Sequence, residues 1–147
     1  MGKLLLHYET EILPMLESAI TNALSSEVAD AAVNLLKESA MENIYSKYTP
    51  SGIHPYKRRM SYIHDDSYET IAQGNTLTIK ENVIGQGSAG DHLGEIIEAG
   101  TPYEWTRSDI FKMQPFPRPF FSSALEDGLN DGTIEAALKR GLERQGF

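Results

Sequence analysis

The sequence of 147 residues contains no cysteine. This absence excludes disulfide bonds, thiolate zinc sites and thiol nucleophiles. No apolar run approaches the ~20 residues that a membrane-spanning helix needs, and the first residues do not have the pattern of an export signal. We therefore expect a soluble cytosolic protein that makes no contact with a membrane.

Positive charge is scarce in this sequence. Lysine and arginine number 13 against 21 aspartates and glutamates, which gives a formal net charge of −8 with neutral histidines. Such a surface repels phosphate backbones and argues against a protein that coats DNA or RNA. The length and the 40% of apolar residues suit one ordinary globular domain. We assign residues 1–147 to a single domain.

Motifs of enzymatic sites are also missing. The sequence has no Walker loop and no Gly-x-Ser-x-Gly elbow, and the glycines of 85–90 are not followed by a good helix start, so they favour a hairpin connection. Ligand-type residues at 64–66 and 91–92 lack a metal-ligand spacing. Glu95 and Glu98 are best interpreted as a solvated polar edge. We predict no catalytic residues, no metal and no cofactor.

Residues 1–48 have the pattern of a helix. Their apolar residues recur at three- and four-residue steps, as one buried helix face requires. Thr10 is a candidate cap for the helix start, with Pro14 in the first turn. Ser25 and Ser26 either break this segment into two helices or only dent a single one, and the sequence leaves both possibilities open.

The middle of the chain predicts strands. Residues 49–66 form a long connection without a regular period. Residues 67–113 hold the strands, with a hairpin turn at Gln73-Gly74-Asn75. Strands grouped between helices indicate an α+β fold, in which an N-terminal helix or helix pair packs on a small antiparallel sheet and a C-terminal helix follows.

Residues 114–147 combine a proline segment with the C-terminal helix. Prolines on alternate positions hold an extended segment, and Pro119 suits the first turn of the helix that follows. Phe120 and Phe121 are expected to lie in the core. The apolar helix face is interrupted at Asp131-Gly132-Thr133.

One basic stretch stands out in this acidic chain: Tyr56, Lys57, Arg58 and Arg59. Arginine forms forked pairs with carboxylates and aromatic side chains anchor interfaces, which favours a contact with a partner or with another copy. The same stretch suits pairing with the acidic residues of 1–48 within one chain. Phosphate binding is a third interpretation.

Two stretches of the second half, LGEIIEAGTPY at 93–103 and QPFPRPF at 114–120, resemble a known family. Together with the basic stretch, and in the same order along the chain, they resemble the head–tail joining, or tail-completion, proteins of long-tailed bacteriophages. The resemblance covers about residues 10–145. The candidate motif residues that carry it are Glu98, Gly100, Thr101, Arg118, Pro119 and Phe120.

The resemblance implies a structural virion protein without catalytic activity. Members of this family sit at the phage neck, act as a ring of copies, expected to be sixfold, and let DNA pass without sequence-specific binding. The implied partners are the connector and the tail-tube or tail-terminator proteins. The implied location is the virion, with the host cytoplasm during assembly, and the gene is carried by a phage or a prophage. A non-catalytic cytosolic adaptor, and less so a small metal-dependent hydrolase, remain alternatives.

Overall fold

The structure is a computed structural model that describes residues 2–46, 61–83, 94, 97, 98 and 119–147. These residues form N-terminal helices, a two-stranded antiparallel sheet and C-terminal helices, which confirms the predicted α+β class. The chain divides into two compact units. The first comprises Met1–Ala32, Thr70–Ile79 and Gly128–Phe147, and the second comprises Val33–Glu69 and Lys80–Asp127. The assignment to a single domain stays a prediction.

The N-terminal segment is one continuous helix. The α-helical stretches are α1 (Gly2–His7), α2 (Leu13–Ala23) and α3 (Ala29–Ala40), and single π-helical turns join or follow them at Tyr8–Ile12, Leu24–Val28 and Met41–Tyr45. The backbone stays right-handed at the second junction, with φ −64° and ψ −40° at Ala23. Ser25 and Ser26 lie within this π turn, so they dent one helix and do not divide it into two.

The helix begins earlier than the candidate cap at Thr10. The Thr10 hydroxyl donates to the carbonyl oxygen of Leu6 one turn earlier, at 2.7 Å, so it does not cap a helix start. Pro14 lacks an N–H and normally disturbs a helix interior. Here the wider π turn directly precedes it, with the N–H of Leu13 bonded to the carbonyl oxygen of Tyr8. The interpretation of Thr10 as a cap of the helix start was therefore wrong, while the helical pattern of the first residues agrees with the structure.

The sheet is the predicted hairpin. Strand β1 (Tyr68–Gln73) and strand β2 (Thr76–Glu81) are joined by a two-residue turn at Gly74 and Asn75. Gly74 has a φ of +59°, and a positive φ at the first turn position suits glycine and the right-handed twist of a hairpin. Burial alternates along β2, as the period of a half-buried strand requires.

The C-terminal segment holds two helices, α4 (Phe120–Asn130) and α5 (Thr133–Arg144). The break falls at the predicted interruption. Gly132 has a φ of +78°, which ends the right-handed helix, and the carboxylate of Asp131 accepts the N–H of Thr133 at 2.9 Å. A glycine in the left-handed region and a carboxylate at the next helix start together explain the separation.

Packing in the first unit depends on a close approach of α2 and α5. Ala23 and Ala137 are fully buried, and a Cβ atom on Gly141 would lie 2.5 Å from the Cβ of Ala23. The side chain of Gln145 secures the end of α5, because its amide nitrogen donates to the carbonyl oxygen of Ala19 at 2.8 Å. Small residues therefore let these two helices touch.

An ion pair lies beside this helix contact. The guanidinium of Arg144 binds both carboxylate oxygens of Glu27, and one of its nitrogens reaches the hydroxyl oxygen of Ser26 at 3.2 Å. The Ser26 hydroxyl also donates to Glu27. Hydrogen bonds from Arg144 and then from Ser26 lower the pKa of Glu27 to about 2.

Candidate functional site

The candidate site residues divide between those the structure describes and those it does not. Glu98, Pro119 and Phe120 are described. The remaining candidates lie outside the described residues: Tyr56, Lys57, Arg58, Arg59, Gly100, Thr101 and Arg118.

Glu98 caps the start of α4. Its carboxylate accepts the backbone N–H groups of Phe121 and Ser122, each at 3.0 Å, and also the hydroxyl of Ser122. The first N–H groups of a helix have no partner within the helix, and the positive end of the helix dipole favours a carboxylate there. The structure thus brings Glu98 to the start of the helix that follows Pro119. Glu98 itself lies in a helical turn, although the sequence analysis places it in the 67–113 segment of strands, so the strand prediction is wrong at this residue.

Phe120 is the buried anchor of α4. Its side chain has 0% exposure, and its ring centroid lies 4.8 Å from those of both Tyr62 and Phe121. The Ser39 hydroxyl, on α3, donates to the carbonyl oxygen of Phe120 at 2.6 Å. The prediction that Phe120 is a core residue is confirmed.

The aromatic residues around Phe120 form a cluster that we call the aromatic cluster: Tyr45, Tyr62, Tyr68, Phe120 and Phe121. The N–H of Tyr62 donates to the hydroxyl oxygen of Tyr45 at 3.0 Å, and the hydroxyl of Tyr68 donates to the carbonyl oxygen of Tyr62 at 2.7 Å. Burial, the largest effect, raises the pKa of Tyr62 and of Tyr68 well above the usual range. Both hydroxyls therefore act as neutral donors.

Glu81 connects the aromatic cluster to the stretch that carries the resemblance. It accepts the hydroxyl of Tyr62 at 3.3 Å and the N–H of Val83 at 3.0 Å. A Cβ atom on Gly94 would lie 2.8 Å from an oxygen of Glu81. Glycine at the second position of the 93–103 stretch thus allows a close approach to this carboxylate.

Sequence reasoning did not identify the aromatic cluster as a unit. Tyr62 and Tyr68 lie in and just after two short 3₁₀ turns, Ser61–Ile63 and Asp65–Ser67. Turns this short produce no period that a sequence pattern can detect. The only available signal was the density of aromatic residues near the end of a long connection.

Among the ligand-type residues of 64–66, the structure gives Asp65 an ion pair. Asp65 pairs with the amino group of Lys37 at 2.7 Å, and its carboxylate is largely exposed. Within residues 2–46, 61–83, 94, 97, 98 and 119–147, no three histidines, aspartates or glutamates come together in a group that suits a metal ion. Asp91, His92 and Glu95 lie outside the described residues.

Membrane insertion through a helix finds no support in the part of the chain that the structure describes. None of the helices there combines the length and the apolar character that crossing a bilayer requires.

Comparison with known protein families gives a match over most of the chain. A family model described as YomN matches residues 10–144, and YomN is the name of a gene from a phage region. No curated protein matches the chain, and no solved structure matches it.

Proposed function

Because the chain belongs to the YomN family and is a phage-associated protein, we propose that it is a structural protein of the phage neck that completes the tail end and joins it to the head connector. The observation that carries this proposal is the family match over residues 10–144. The motifs that resemble tail-completion proteins narrow the proposal from a phage protein to a neck protein.

The contact between Glu98 and α4 supports the same proposal. Two parts of the resemblance, the 93–103 stretch and the 114–120 stretch, are separated in sequence, yet Glu98 binds the N–H of Phe121 at 3.0 Å. The Phe120 side chain is buried in the same unit. Glu98 and Phe120 therefore both hold α4 in place, which supports a structural role for this motif.

The charge balance suits a ring through which DNA passes. A formal net charge of −8 repels a phosphate backbone, so an acidic channel lets DNA slide and does not retain it. In this proposal the protein acts without a cofactor and without catalysis. It contacts connector and tail-tube or tail-terminator proteins in a ring, for which we propose sixfold order.

Deletion of the gene in the phage that carries it tests the proposal. We expect lysates that contain full heads and complete tails that are not joined, as seen by electron microscopy, with infectivity restored by a plasmid copy of the gene. Virions of normal form and number in the deletion lysate would contradict the neck role. If mass spectrometry does not find the protein in virions of the wild-type phage, the cytosolic adaptor is favoured instead.

A further inference from the structure

Helix α5 is held against α2 chiefly by small residues. The buried residues of α5 are Ala137 and Gly141, and Gly141 meets Ala23 of α2. Hydrophobic stabilisation grows with the apolar area that is removed from water, and small residues contribute little of it. The larger apolar residues of α5 are only half-buried: Ile134, Leu138 and Leu142. The contact is therefore close, yet no large side chain of α5 is buried completely.

The polar contacts that fix α5 on the N-terminal helix lie at the C-terminal end of α5. Arg144 binds both carboxylate oxygens of Glu27. The amide nitrogen of Gln145 donates to the carbonyl oxygen of Ala19 at 2.8 Å, and that of Asn22 donates to the side-chain oxygen of Gln145 at 3.1 Å. Residues 19–27 supply these partners, and every copy of the chain presents the same stretch.

The linker between α4 and α5 consists of Asp131 and Gly132. The φ of +78° at Gly132 turns the chain between the two helices, and a Cβ atom there would meet nothing within 4 Å. The backbone conformation of one residue therefore separates α4 from α5. If Gly132 adopts a right-handed conformation, α4 and α5 join into one helix and α5 leaves its own α2. Short linkers of this kind favour the exchange of an element between copies.

The charges around the contact favour a reused contact over a new one. Each copy has a formal net charge of −8, so an association of two acidic surfaces needs complementary groups. The pair of Arg144 and Glu27 already provides them. The other charged residues of α2 and α5 are exposed: Glu17, Glu135, Lys139, Arg140 and Glu143.

We propose that α5 of one copy of this chain docks on α2 of the next copy, in the place that its own α5 occupies in the single chain. Arg144 then pairs with Glu27 of the neighbouring copy. Because each copy gives its α5 to the next, the exchange repeats and closes a ring. The proposal supplies the contact for the ring of the proposed function, and it rests on that function for its biological role.

Mixing two charge variants tests the exchange. Glu27→Arg and Arg144→Glu each place like charges at the contact within one chain, whereas an exchange between the two variants restores opposite charges at every contact. We expect native mass spectrometry of the mixture to show complexes with equal numbers of both variants, on the order of tenfold more than either variant forms alone. Both variants remain net negative, so their overall charges do not attract each other.

The matched control carries Glu27→Arg together with Arg144→Glu. This double variant restores the pair within one chain and is expected to associate like wild type. A mixture of the two single variants without mixed complexes would overturn the exchange.

Substitution in the linker tests the exchange independently of charge. Alanine disfavours a positive φ and favours a continuous helix, so Gly132→Ala should associate on the order of tenfold more tightly than wild type in sedimentation velocity. Gly146→Ala is the matched control, because Gly146 also has a positive φ, of +91°, but follows the end of α5. Met41→Ser, at an exposed apolar residue outside α2 and α5, controls for surface changes, and both controls are expected to behave like wild type. A Gly132→Ala protein that is monomeric at every concentration would overturn the proposal.

The outcomes separate the exchange from the neck role. A protein that joins heads to tails, but whose charge variants form no mixed complexes, would overturn the exchange and leave the neck role standing. A protein that exchanges α5 as described but is absent from virions would overturn the neck role alone.

Discussion

Gly141 and Ala23 touch across two helices of the first unit. A Cβ atom on Gly141 would lie 2.5 Å from the Cβ and 3.0 Å from the Cα of Ala23, and both residues are buried. Distances this short leave no room for even a methyl group. The packing of α5 on α2 therefore depends on glycine in the interior of a helix, where glycine is otherwise unfavourable.

Substitution of this glycine is the first prediction. Gly141→Ala should lower the free energy of unfolding by about 1–3 kcal/mol, the usual cost of overpacking, although alanine is the better helix former by about 1 kcal/mol. Urea denaturation measures the change. Ala136→Gly, at an exposed position of α5, measures the propensity effect by itself. A Gly141→Ala protein as stable as wild type, or more so, would show that the helices can separate at no cost.

The ion pair between Glu27 and Arg144 predicts a dependence on pH. The pKa of Glu27 is lowered to about 2 in the folded protein, chiefly by Arg144. A carboxyl group with a lowered pKa stabilises the fold above its unfolded-state pKa, and this contribution is lost as the pH falls through the folded value. We expect wild type to lose stability between about pH 5 and 2.

Glu27→Gln removes the titrating group and serves as the comparison for this effect. Its free energy of unfolding should fall less than that of wild type over the same pH interval, measured by urea denaturation at low salt. Added salt should reduce the difference because the pair is partly exposed. Parallel pH profiles for the two proteins would mean that the Arg144 contact does not stabilise the fold.

The cap on α4 gives a third prediction. Glu98→Ala should lower the free energy of unfolding by about 1–2 kcal/mol, because two N–H groups at the start of α4 lose their partner. Glu98→Gln should lower it less, since its amide oxygen still accepts a hydrogen bond without the charge. Glu69→Ala, at an exposed position of β1, is expected to change stability by less than about 0.5 kcal/mol. Equal stability of the Glu98→Ala and Glu69→Ala proteins would argue against the cap.

The basic stretch gives a fourth prediction, on assembly. Arg58→Ala with Arg59→Ala should leave the chain folded by circular dichroism but weaken its contact with the next copy or a neck partner. Truncation of a desolvated arginine at an interface costs on the order of 2–5 kcal/mol. If the double variant fails to fold, the arginines pair within the chain. If it folds and still joins heads to tails at the normal level, they do not form the contact.

Local patterns predicted the elements better than they predicted the contacts between them. The turn at Gly74 follows from its sequence because a two-residue hairpin turn needs a positive φ. The break at Gly132 follows because glycine readily adopts the left-handed φ that ends a right-handed helix. The cap at Thr10 was predicted wrongly. Threonine is a common cap residue, but the Thr10 hydroxyl donates to the carbonyl oxygen of Leu6 inside the helix.

The contacts of the candidate motif residues could not be predicted from sequence patterns either. The resemblance identified Glu98, but no sequence spacing indicates that its carboxylate caps a helix that starts more than twenty residues later. Such a contact is set by tertiary packing, and periodicity reports only which side of one element is buried. The aromatic cluster was partly predicted, since Phe120 was expected in the core. Its partner Tyr62 lies in a 3₁₀ turn too short to produce a period.

Joining of separately prepared heads and tails tests the neck role most directly. Heads and tails from a deletion phage are mixed with purified protein, and infective particles are counted. The account predicts that wild type restores infectivity, that the Arg58→Ala, Arg59→Ala variant restores much less, and that Met41→Ser restores it fully. Heads and tails that join equally well without any added protein would contradict the account.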